Sequence, residues 1–109
     1  MENTAALHNL IHSLKAHTQI VDGQPVGFKS REKGVLIALY NCQRLGIRTS
    51  RKSISEYSLA SVASIGKSLN VLAKLGYVAK CRHVDAESGG NLSNTYTINA
   101  SAIAAAVGR

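Results

Sequence analysis

The sequence predicts an α+β chain that is mainly helical and carries one small β-hairpin towards its C-terminal end. Three observations give this class. The stretch from Ile54 to Val78, ISEYSLASVASIGKSLNVLAKLGYV, places Ile65, Leu69 and Leu72 at intervals of four and three, the spacing that stacks side chains on one helical face. After Gly76 the period changes to the alternation of a strand, YVAKCRHV, and a Thr- and Tyr-rich partner, NLSNTYTIN, follows a turn. Helical patterns also stand at both ends of the chain, Leu7, Leu10, Ile11 and Leu14 near one and SAIAAAV near the other.

Taken in order, residues 4–17 read as a helix with Asn3 or Thr4 as cap. His8 and His12 stand four apart on its outer side, a spacing that can chelate a metal. No carboxylate or cysteine nearby completes a site, so two surface histidines and no metal are expected. His17 falls near the helix end, where a cation suits the helix dipole. Residues 18–29 form a turn-rich connector with Asp22-Gly23, Pro25 and Gly27, and a short extended piece around Gln19 to Val21.

Ser30 opens the next helix. Glu32 in its first turn suits the positive helix end, Val35, Leu36, Leu39 and Tyr40 form the buried stripe, and Leu45-Gly46 closes it. The basic link IRTSRK offers Thr49 and Ser50 as caps for a helix over Lys52–Ser58, with Ile54 and Tyr57 inward. Ser61 caps the following helix and Gly76 supplies the left-handed residue that ends it. In the hairpin, Gly89-Gly90 makes the tip and Asp85 and Glu87 lie near it. Asn99 or Ser101 caps the alanine-rich last helix, which Gly108 ends. Helices this short are marginal in water, so this one must pack on another helix of its own chain or of a partner.

If Ile65, Leu69 and Leu72 face inward, the opposite side of that helix carries Ala63, Lys67, Asn70 and Lys74, flanked by Ser64 and Val71. Those residues are small, polar or cationic, and none is acidic. Such a face can enter a major groove, where bulk obstructs docking and negative charge meets phosphates. An ordinary solvated helix face is the plainer alternative. The wider charge distribution favours the first reading: the chain has 13 Lys plus Arg against 6 Asp plus Glu, a net charge of +7. Between Arg44 and Arg82 there are eight cations and one anion, Glu56.

At 109 residues, 45% of them hydrophobic and 17% charged, the chain makes a single folded domain. Cys42 and Cys81 show no CxxC spacing and both fall in apolar patterns, which predicts buried, reduced thiols. The sequence begins without the apolar run of a signal peptide and contains no segment of spanning length. A soluble, cytoplasmic protein is therefore expected. No Ser/His/Asp arrangement, glycine-rich phosphate loop or suitable carboxylate pair argues for an enzyme, and no cofactor is indicated.

The order helix, helix, corner, helix, glycine, hairpin resembles the winged helix-turn-helix family over Ser30 to Asn99. In that pattern an apolar residue, a small residue and Glu open the second helix, as Ile54, Ser55 and Glu56 do here. A serine starts the recognition helix, apolar residues sit at Ile65, Leu69 and Leu72, and an apolar pair follows the glycine. The ending SNTYTIN is similar to the second wing strand of plasmid replication initiators and phage replication proteins. Where the family often has a glycine at the corner, this chain has Leu59. The resemblance divides the chain into an N-terminal helix and connector (1–29), the winged module (30–99) and a short C-terminal helix (100–109).

The resemblance implies double-stranded DNA binding, by a transcriptional regulator or a plasmid or phage replication or partition factor in a bacterial cytoplasm. The residues it assigns to DNA are Arg48, Thr49, Ser50, Arg51 and Lys52 ahead of the recognition helix, and Ser61, Ala63, Ser64, Lys67, Ser68, Asn70 and Lys74 on it. Lys80, Arg82 and His83 follow on the wing. A homodimer would read two half-sites, with Leu7, Leu10, Ile11, Leu14, Ile103 and Val107 as its surface, unless these support the chain's own core. The alternative from another class is a winged-helix module that binds an acidic protein and has little contact with DNA.

Overall fold

Helix α4 (Val62–Leu75) lies against α2 (Ser30–Leu45) and α3 (Arg51–Ser58), and the rest of the chain is arranged around these three. The computed structural model describes residues 3–84 and 91–108, with side chains over 7–82 and 94–108. Among the described residues the chain also forms α1 (Asn3–Ser13), β1 (His17–Val21), β2 (Gln24–Phe28), β3 (Val78–Val84), β4 (Asn91–Ile98) and α5 (Ala100–Val107). Two separate antiparallel pairs, β1-β2 and β3-β4, complete an α+β fold. The expected tip at Gly89-Gly90 with Asp85 and Glu87, the caps at Asn3 and Thr4, and the His83 side chain lie outside what is described.

The three central helices pack through Leu36, Leu39, Ile54, Ile65, Leu69 and Leu72, all at most 1% exposed. Their ends follow local chemistry. At the start of α2 the Glu32 carboxylate accepts the Lys29 N–H at 3.0 Å, pairing a donor that the first turn leaves without an intrahelical acceptor. Its end turns at Gly46, φ 74°, where the Ile47 N–H reaches the Cys42 carbonyl. Gly76, φ 84°, ends α4 in the same way, with the Tyr77 N–H on the Leu72 carbonyl. Cys42 is buried, and burial pushes its thiol pKa up, so it stays protonated and inert.

The region before Ser30 departs from expectation. Helix α1 stops at Ser13, and 17–28 is a hairpin in place of a connector. Asp22 and Gly23 both take positive φ, 51° and 78°, between the paired Val21 and Gln24, the geometry of a two-residue turn matched to strand twist. His17 is thus on a strand, not at a helix end. Its ring stacks on Phe28, and its Nδ1 lies 2.6 Å from the Lys15 carbonyl, which makes that nitrogen the donor. Nε2 is left to accept from the buried Tyr77 hydroxyl at 2.7 Å. The cation at the end of α1 is Lys33 of α2, whose Nζ donates to the His12 and Leu14 carbonyls.

The end helices serve the chain's own core. Ile11, Leu14 and Ile103 are 1%, 3% and 0% exposed, and half-buried Leu7, Leu10 and Val107 pack against the same cluster. Helix α5, capped by Asn99, lies against α1. Burial within one copy therefore accounts for Ile11, Leu14 and Ile103, which belong to an internal joint and not to a dimer surface. Two further expectations are corrected. Tyr57 is 42% exposed, because eight-residue α3 turns only Ile54 fully inward. Cys81 is exposed on β3, as are its neighbours Ala79, Lys80 and Arg82, while Val78 at the base is buried.

Candidate nucleic-acid interface

Helix α4 is fixed on one side and open on the other. The Ser61 hydroxyl oxygen accepts the Ser64 N–H at 3.1 Å and sets its first turn. Ile65, Leu69 and Leu72 then go inward, which leaves Ala63, Lys67, Asn70 and Lys74 exposed in one row, with Ser64 and Val71 half-buried beside it. Ser68 does not belong to that surface. It follows Ile65 by three residues and precedes Leu72 by four, so it shares their side of the helix. It is 0% exposed, and its hydroxyl has no hydrogen-bond partner among the described residues.

The corner before α4 is made by Leu59, which adopts φ 64° with its side chain 92% exposed. A leucine in the left-handed region is uncommon. The Ser55 hydroxyl secures the turn by donating to the Ala60 carbonyl.

Ahead of α3, Ser50 is a cap and not a surface group. It is 5% exposed and accepts the Ser53 N–H at 3.2 Å. Thr49 is half-buried, and its carbonyl and hydroxyl oxygens accept the Tyr96 N–H at 3.0 and 3.3 Å, which ties β4 to the link before α3. Arg51 is held from two sides. Its Nε donates to the buried Tyr96 hydroxyl at 3.2 Å, and its guanidinium covers Gly66 of α4, where an added Cβ would come within 3.1 Å. Gly66 and Tyr96, like Val62 at the start of α4, are members of this joint that sequence reasoning missed. Tyr96 lies 45 residues from Arg51, and no local pattern links them.

Arg48 and Lys52 are exposed, as are Lys80 and Arg82 on β3. A recess of about 300 Å³ lined by Ser50, Arg51, Lys52, Val62 and Asn94 joins the starts of α3 and α4 to β4. The base of the hairpin is anchored to the helices as well. The Gln43 side-chain oxygen accepts the Ile98 N–H at 2.9 Å, and the Asn99 N–H reaches the Tyr77 carbonyl. The structure therefore brings Arg51, Lys52, Val62, Gly66 and Tyr96 into one joint beside the open row of α4.

No family model, curated protein or solved structure matches this chain. Among the described residues no group of three or more His, Cys, Asp or Glu side chains converges as a metal site. The His8 and His12 rings meet edge to face, 4.4 Å between centroids. Among the described residues, too, no helix is long and apolar enough to cross a membrane.

Proposed function

We propose that the chain is a double-stranded DNA-binding protein of the winged helix-turn-helix type, with α2, α3 and α4 as its helices and β3-β4 as its wing. The observation that carries this reading is the exposed row Ala63, Lys67, Asn70 and Lys74, free of carboxylates, on a helix whose other side is locked into the core. In this reading α4 enters the major groove. Lys52 and Arg51 at the start of α3, with Lys80 and Arg82 at the wing base, meet the sugar-phosphate backbone.

The biological role is that of a transcriptional regulator or of a plasmid or phage replication or partition factor in a bacterial cytoplasm. Two copies would read half-sites about one helical turn apart. Their contact would lie outside the α1–α5 joint, which each copy fills by itself.

Fluorescence anisotropy with a labelled random-sequence duplex tests the reading. Neutralising roughly four phosphates predicts that affinity falls about a hundredfold between roughly 50 and 200 mM salt. No binding at low salt, or binding indifferent to salt, contradicts it. Co-purification with an acidic protein in that event would favour a protein-interaction module.

A further inference from the structure

We infer that the first turn of α4 reads thymine through its 5-methyl group, so that the preferred half-site places T·A pairs beneath Val62 and Ala63. The inference rests on the DNA-binding reading and names the sequence class it selects. Val62 is 47% exposed and Ala63 is exposed, adjacent to one another at the entry of the helix. They offer only hydrocarbon where a reader of hydrogen bonds would carry a donor fork. Of the groups on a major-groove edge, the thymine methyl is the one that offers hydrocarbon a matching surface, beside the polar atoms that every base presents there.

The surroundings agree with this placement. Lys52 and Arg51 share a recess with Val62, so cations suited to phosphate stand directly beside the apolar turn. Ala63 and Asn70 are in the same exposed row, two helical turns and roughly 10 Å apart. Asn70 carries the carboxamide that pairs with adenine through N6 and N7. The row contains no arginine, the commonest partner of guanine. An apolar contact at one end and a carboxamide at the other both favour A·T pairs. Gly66, the next residue on the flank of Val62, is covered by Arg51, which leaves Val62 and Ala63 as the apolar pair presented there.

The test uses the full chain and a duplex enriched from a random pool by successive gel shifts. Enriched duplexes should share thymines. Replacing those thymines by deoxyuridine deletes the methyl alone and should weaken binding about fourfold per methyl contacted. The double variant Val62→Ser, Ala63→Ser alters exposed positions only. It should bind both duplexes with equal affinity and show the unchanged helical circular dichroism of a folded chain. Tight, salt-sensitive binding that ignores the exchange of thymine for deoxyuridine overturns this inference and leaves DNA binding standing. Absence of binding to any duplex at low salt overturns both.

Discussion

Leu69→Ala is expected to lower the stability of the chain by about 2–5 kcal/mol, the range for truncating a fully buried leucine. Leu69 is 0% exposed, and its helix packs against both α2 and α3. The loss combines transfer of the removed carbons to water with the cavity that close-packed neighbours do not refill. Urea denaturation reads it as a lowered midpoint at an unchanged slope. Lys67→Ala, two residues earlier and exposed, should stay within about 0.5 kcal/mol of the parent. Similar effects from the two would mean that α4 has no inner and outer side.

Reversing two charges on the outer side should have the opposite profile. The double variant Lys52→Glu, Lys67→Glu is expected to lose roughly a hundredfold or more in affinity for duplex DNA, since one phosphate contact and one groove-facing cation are both replaced by charges that the polyanion repels. Its thermal unfolding should be close to that of the parent, because both side chains are exposed and neither holds a cap. Anisotropy titration and a melting curve on the same sample separate the two effects. Retained affinity would remove these lysines from the interface. Arg51 is a poorer choice for this purpose: its bond to Tyr96 and its cover over Gly66 tie its loss to the joint between α3, α4 and β4.

Much of the central arrangement was legible in the sequence because its signals are local. The intervals Ile65, Leu69 and Leu72, the cap at Ser61 and the glycines at 46 and 76 fix helix faces and ends within a few residues. The first hairpin was not legible as such. Each strand has only five residues, and Pro25 and Gly27 interrupt the alternation of the second, although Asp22-Gly23 is a strong hairpin dipeptide. Ser68 shows where residue type misleads. Its hydroxyl suggests a surface, while its position three after Ile65 and four before Leu72 places it inside.

Leu59 makes the opposite point, since a side chain reluctant to take positive φ takes it at the close of α3, three residues before α4 begins. The remaining differences come from contacts distant in sequence. Periodicity shows that Ile11, Leu14 and Ile103 are apolar stripes, but not whether a stripe meets its own chain or another copy. The meeting of α1 with α5 joins the two ends of the chain, and no local rule foresees it. Likewise the hydrogen bonds from Tyr96 to Thr49 and from Ile98 to Gln43 decide where the hairpin sits against the helices.

In the DNA-binding reading the open row of α4 is the surface that meets the duplex. Backbone amide shifts of the isotopically labelled chain, followed by NMR as an enriched duplex is added, test it most directly. The largest changes are expected at Val62, Ala63, Lys67, Asn70 and Lys74, accompanied by Arg51 and Lys52, with α1 and α5 nearly unmoved. Changes concentrated on α1, α5 or the β1-β2 hairpin, with α4 silent, would contradict it.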